Sequence, residues 1–145
     1  MEIEILRATE NDAYDISLLE TECFSVPWTK ENIIESINSS TVFYVAKSDN
    51  KTVGYLGMQN AMGDGYITNI AVTNGFRKMG VATKLLSTLF DYANKTQMNF
   101  ISLEVRPCNN AAISLYKKLG FKDVGIRKNF YSAPKEDAVI MTKYF

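Results

Sequence analysis

The sequence has no histidine and only two cysteines, Cys23 and Cys108, in 145 residues. Without histidine there is no Ser-His-Asp triad, no imidazole general base, and the commonest metal ligand is missing. The two cysteines lie too far apart for a metal or redox spacing. A small secreted fold would want more bridges, so a reducing cytosol is expected. No apolar run approaches the ~18 residues that span a bilayer. Met1-Glu-Ile-Glu4 is acidic, unlike the basic start of a signal peptide. Internal repeats, low-complexity tracts and Pro/Gly/Ser linkers are also missing, so residues 1–145 read as a single domain of ordinary size.

Net charge is absent too, with 16 Lys+Arg against 16 Asp+Glu. That balance argues against a strongly basic nucleic-acid binder, but it is made of two unequal halves. Residues 1–72 carry four bases against eleven acids, and residues 73–145 carry twelve against five. Asymmetry of this kind suggests different partners for each half. The bases are dispersed, whereas an RNA-binding surface predicts a contiguous basic stripe with exposed aromatics.

What is present is a strong alternation of periods. Glu2-Ile-Glu-Ile5 alternates as a strand, and Thr9 with Asp12 forms a capping box. Ala13, Ile16, Leu19 and Cys23 then recur at helical spacing, and Thr29 can cap a second helix through Ile33, Ile34 and Ile37. Val42–Ala46 and Val53–Met58 form a hairpin, followed by a run over Tyr66–Val72. Val81, Ala82, Leu85, Leu86, Leu89 and Ala93 make a core-facing helical stripe. Phe100–Val105 is a strand, and Asn109–Leu119 a helix stopped by Gly120. Val124–Phe130 and Ala138–Tyr144 close the chain as strands. The order βααβββαβαββ predicts an α/β mixed, twisted sheet with helices on both faces, its central strands locally parallel.

Two segments can carry chemistry. In the first, the strand Tyr66–Val72 runs into a turn with Arg77, Lys78 and Gly80 that opens directly into a helix. Free amides at a helix start, aided by the dipole, form a natural phosphate site. Gly80 lets the backbone approach an anion, and small Ala82 keeps the first turn clear. An ordinary helix entry with a turn glycine has the same pattern. In the second segment, Glu104 lies near the carboxyl end of its strand, where ligands gather in open α/β sheets. Placed amid Ile101, Leu103 and Val105, it is either a desolvated general base or a solvated carboxylate paired with Arg106. Asn109 is a candidate N-cap, and Tyr116, almost two turns later, shares its helix face.

Together these segments resemble the acetyl-CoA-binding core of the GNAT N-acetyltransferase superfamily, and the element order matches that fold. Within it the chain is most similar to the ribosomal-protein-alanine N-acetyltransferases, the RimI family. The resemblance rests on Phe24-Ser-Val-Pro-Trp-Thr29, Ile67-Thr-Asn-Ile-Ala-Val72, Arg77-Lys-Met-Gly-Val-Ala-Thr83, Leu103-Glu-Val-Arg106 with Asn109 and Leu115-Tyr116, Arg127-Lys-Asn-Phe-Tyr131 and Glu136-Asp-Ala138. It covers nearly the whole chain.

The resemblance implies the following assignments. Ile70, Ala71 and Val72 would pair with the pantetheine arm of acetyl-CoA. Arg77, Lys78, Met79, Gly80, Val81 and Ala82 would hold its pyrophosphate, and Asn109 would also touch the coenzyme. Glu104 would be the general base and Tyr116 the general acid of a direct transfer that needs no metal. Phe24 and Trp28 would form one wall for an acceptor peptide N-terminus and Tyr131 the other, although Trp28 suits a surface lid equally well. The implied acceptor is the N-terminal alanine of a small-subunit ribosomal protein, with other protein N-termini, lysine side chains and small amines as alternatives. A non-catalytic acyl-CoA-binding module would be expected to lack Glu104 and Tyr116. Neither nucleic acid nor membrane is an expected partner. Cys108 reads as a bystander, having no base partner. Two positions depart from the family pattern: Phe130 replaces a frequent second tyrosine, and Pro107-Cys108 replaces small residues before Asn109.

Overall fold

The computed structural model describes residues 2–39, 41–132 and 134–145. Its elements are β1 (Glu4–Arg7), α1 (Ala13–Cys23), α2 (Lys30–Ile37), β2 (Val42–Ser48), β3 (Lys51–Ala61), β4 (Asp64–Val72), α3 (Val81–Lys95), β5 (Phe100–Val105), α4 (Asn110–Lys118), β6 (Lys122–Ser132) and β7 (Lys135–Tyr144). The order is the one the periodicity predicts. Differences lie at the ends: β1 starts two residues later than the Glu2–Ile5 alternation, and β3, β6 and β7 extend further into polar sequence. Those extensions are held by hairpin pairing, which needs no apolar alternation.

The seven strands form one sheet in the order β1-β2-β3-β4-β5-β7-β6. Only β4 and β5 run parallel, joined through α3. Side chains alternate across the sheet and divide the core in two. On one face α3 and α4 bury Leu85, Leu86, Leu89 and Tyr116 against Ile101, Leu103 and Met141. On the other, α1 and α2 bury Ile16, Leu19 and Ile33 against Phe43, Val45, Tyr55 and Ala71. β2 serves both faces, giving Val42, Tyr44 and Ala46 to the first and Phe43 and Val45 to the second.

One irregularity sets up the site. Gly57 of β3 lies opposite Asn69 and Met58 opposite Ile67, so Thr68 is an extra residue in β4. A bulge bends its strand and increases the local twist. The parallel ladder holds Asp64–Tyr66 against Phe100–Ser102 and ends there. Beyond it β4 and β5 diverge, and the β5-facing edge of Ile67–Val72 has no ladder partner. Gly57 makes room beside it for the Phe43 ring, which a Cβ there would approach to 2.8 Å.

Candidate active site

A cleft of about 670 Å³ opens where β4 and β5 part. Its walls come from β4 and β5, from the segment between α1 and α2, from the start of α4, and from the end of β6. Glu104 and Tyr116 both line it, as do Ile70, Asn109, Phe24, Trp28 and Tyr131. The fold therefore gathers residues spread over more than a hundred positions of sequence.

Glu104 is the carboxylate at the fork, and its side chain is 4% exposed. The Tyr66 hydroxyl of β4 donates to its Oε1. Arg127 Nη1 lies 3.4 Å from its Oε2. The alternative of a solvated acid paired with Arg106 does not hold, since Arg106 instead meets Glu136 at 3.1 Å. The physical reason is position: Arg106 lies just past the end of β5 and donates to the Pro134 carbonyl and Glu136 of the neighbouring hairpin. Burial, reinforced by the bond to Glu104, raises the Tyr66 hydroxyl far above its ordinary range, so it remains a donor.

The Glu136-Asp137-Ala138 run explains how Arg127 arrives. Strand β7 lies between β5 and β6, so a β6 side chain must cross β7 to reach Glu104. Arg127 is in register with Ala138, a fully buried residue whose single methyl group leaves a path. Just beyond, β6 carries the three residues 128–130 where β7 has only Asp137. Asp137 Oδ1 accepts from the Asn129 amide at 2.8 Å, and Asn129 takes a left-handed φ of 54°. Glu136 holds Arg106, whose guanidinium stacks 4.1 Å from the Tyr131 ring centroid. Glu136 thus fixes Arg106, Ala138 leaves room for Arg127, and Asp137 holds the bulge between them.

Tyr116 is placed by the end of its helix. Gly120 has φ +101°, and the Phe121 amide returns to the Tyr116 carbonyl at 2.9 Å, closing a Schellman motif. The two rings meet edge to face at 5.6 Å. Burial pushes the Tyr116 hydroxyl up to about 12. At the other end of α4, Asn109 is the N-cap, its side chain accepting from the Ala112 amide at 3.2 Å.

The turn after β4 lies beyond the cleft's lining. Lys78 and Gly80 are both left-handed, with φ of 62° and 78°, and Gly80 is the N-cap of α3. No side chain caps that helix, and a Cβ on Gly80 would meet nothing within 4 Å, so the first α3 amides are open to a ligand. Met79 is exposed, whereas Val81 is buried and Ala82 half-buried. Arg77 turns back: its Nε donates to the Val72 carbonyl at 3.0 Å and its Nη2 approaches Cys23. Ala71 faces the α1 core, leaving its backbone alone available to a coenzyme.

On the opposite wall, Phe24 is exposed and Trp28 half-buried against the α1–α2 core. Tyr131 packs against Phe130 at 4.9 Å, and burial pushes its hydroxyl up to about 12. Cys108 is exposed near Glu136 and is not part of the cleft.

Sequence reasoning missed three residues: Tyr66, Arg127 and Glu20. Glu20 is 1% exposed and lines the cleft. It accepts from the Trp28 amide at 2.8 Å, from Asn69 Nδ2 at 3.1 Å, and from the Tyr55 hydroxyl. Burial raises its pKa against the pull of the Trp28 and Asn69 donors. Its position four residues after Ile16, on the apolar stripe of α1, was the available signal. Among the described residues no group of three or more His, Cys, Asp or Glu side chains could hold a metal ion, and no helix is long and apolar enough to cross a membrane.

Comparison with known proteins agrees with this geometry. The model of the acetyltransferase (GNAT) family matches residues 13–121. The chain is 30% identical over 125 residues to the ribosomal protein bS18-alanine N-acetyltransferase of Escherichia coli, spanning 85% of this chain and 84% of that one. The solved Escherichia coli ribosomal-protein-alanine N-acetyltransferase superposes with a TM-score of 0.91 at 27% identity, over 99% of this chain and 94% of that chain. A GNAT family acetyltransferase from Elizabethkingia anophelis, solved with acetyl-CoA bound, gives 0.79 at 24% identity, over 99% and 98% of the two chains, a likeness of fold.

Proposed function

This chain belongs to the acetyltransferase (GNAT) family, and on that premise we propose that it moves an acetyl group from acetyl-CoA to the N-terminal alanine of a small-subunit ribosomal protein in the cytoplasm. The observation that carries the reading is Glu104, a buried carboxylate held at the fork of β4 and β5 inside one cleft with Tyr116.

Past the end of the β4–β5 ladder, the edge of Ile67–Ala71 offers amides and carbonyls to the pantetheine arm, and the open amides from Gly80 onward suit a pyrophosphate. Acetyl-CoA supplies an activated thioester. A peptide α-ammonium has a pKa near ~8 and must lose a proton before it can attack. Glu104, directly or through water, takes that proton. The amine forms a C–N bond at the thioester carbonyl, whose developing oxyanion meets β4 amides near Val72. The C–S bond then breaks, the thiolate takes the proton of Tyr116, and the excess proton shed by the new amide nitrogen restores the Tyr116 hydroxyl. Phe24, Trp28 and Tyr131 wall the acceptor's entry.

The test is an intact-mass assay with acetyl-CoA and a peptide panel comprising the alanine N-terminus, another N-terminus, a blocked peptide with an internal lysine, and a small amine. A gain of one acetyl group on the alanine peptide, lost by about a hundredfold or more in Glu104→Gln with coenzyme binding retained, supports the reading. No gain on that peptide with normal coenzyme binding overturns the acceptor, and a gain on another member of the panel replaces it.

A further inference from the structure

A buried carboxylate is costly to keep ionised without a cation beside it, and once protonated it cannot take the acceptor's proton. Glu104 is not alone. Arg127 Nη1 sits 3.4 Å from Oε2, brought across β7 above Ala138 and steadied on the Phe130 ring at 5.5 Å. The bulge of β6 opposite Asp137 lies immediately beyond it. This is a built placement, because an arginine two strands away reaches the base only by that path.

We propose that Arg127 is a positioning residue of the transfer reaction: its guanidinium holds the buried Glu104 side chain at the fork as the carboxylate, the form able to take a proton when the acceptor ammonium docks. The proposal rests on the reading of Glu104 as general base. The other groups around Glu104 cannot take this part. Tyr66, from β4, is a neutral donor on Oε1, and Tyr131, from β6, is likewise neutral. Tyr116, from α4, is protonated. Arg106 and Glu136 form an ion pair with each other, and Glu20, from α1, brings a further carboxyl to the cleft. Arg127 supplies the cation on Glu104. The proton balance is simple: one proton leaves the ammonium for Glu104, and Arg127 keeps all of its own.

The experiment measures kcat and KM for the alanine peptide against pH in the wild type, Arg127→Gln, Arg127→Lys and Glu104→Gln. For Arg127→Gln the expected result is a split. The peptide KM at neutral pH changes little, because Arg127 lies outside the lining of the cleft that receives the peptide. The acid limb of kcat moves up by about one pH unit, and kcat recovers toward the wild-type value at alkaline pH. Arg127→Lys restores the limb. With its side chain 56% exposed, Arg127 should be replaceable with the fold intact, and a single cooperative melt with unchanged acetyl-CoA binding checks this. An acid limb that coincides with the wild type, or a loss of kcat equal at every pH, overturns the inference. Full turnover in Glu104→Gln instead overturns the base assignment beneath it, so the two failures are distinguishable.

Discussion

Tyr66 and Glu104 face each other across the line along which β4 and β5 separate, and the phenol donates to the carboxylate. Parallel pairing sets this contact: Tyr66 is in register with Ser102, and Glu104 is two residues further along the same face of β5. The bond therefore forms at the last rung of the ladder, where the cleft begins. A base tied there is held relative to both strands at once.

Replacing Tyr66 with Phe keeps the ring and removes only the donor. The carboxylate then loses one of its two fixed partners, and kcat for the peptide should fall about tenfold, the worth of one hydrogen bond to a charged group. The KM for acetyl-CoA should be unchanged. Steady-state kinetics with either substrate varied decides this, and an unaltered kcat would show that the bond has no part in turnover.

Tyr116 makes a different prediction because its proton is tightly held. With the hydroxyl pushed up to about 12, it remains protonated throughout the neutral range. A pH–rate profile should therefore show no basic limb from this group below about pH 10. Tyr116→Phe preserves the edge-to-face packing on Phe121, so melting should change little while kcat falls by about a hundredfold. A large drop in melting temperature with kcat intact would assign the residue to the core instead.

Much of this was legible before any coordinates. The α1, α2 and α3 stripes and the apolar β runs follow from periods of 3.6 and 2, and they name most of the core. Glu104 stood out because an acid amid Ile101, Leu103 and Val105 needs an explanation. What could not be read was pairing across distance. The partnership of Arg127 with Glu104 depends on β7 inserting between β5 and β6, a matter of topology that no local pattern encodes. The bulge at Thr68 likewise leaves no residue signature, since threonine suits any strand. Arg77 was legible as a cation, but its return to the Val72 carbonyl reflects the tightness of the turn rather than its charge.

Glu20 yields a prediction whose sign separates a buried acid from a surface one. Burial raises its pKa in the folded protein, so the folded chain holds that proton more firmly than the unfolded chain does. The associated stability is fully present below the unfolded value, near about 4.3, and is lost as pH rises through the folded value. Lowering the pH from about 8 to about 5 should therefore favour the wild type over Glu20→Gln, and the gap between their melting temperatures should widen. At neutral pH the variant turns its NH2 toward at least the Trp28 amide, which donated to Oε1, or toward the Tyr55 and Asn69 donors on Oε2, at a cost of about 1–3 kcal/mol. Glu20→Ala goes further and frees the Trp28 amide, so the wall beside the cleft loosens and the peptide KM should rise with little change in acetyl-CoA binding. Paired thermal melts across pH test the first outcome and peptide kinetics the second. A melting gap that narrows on acidification would mean that Glu20 is held as a carboxylate by its three donors, with burial the lesser effect.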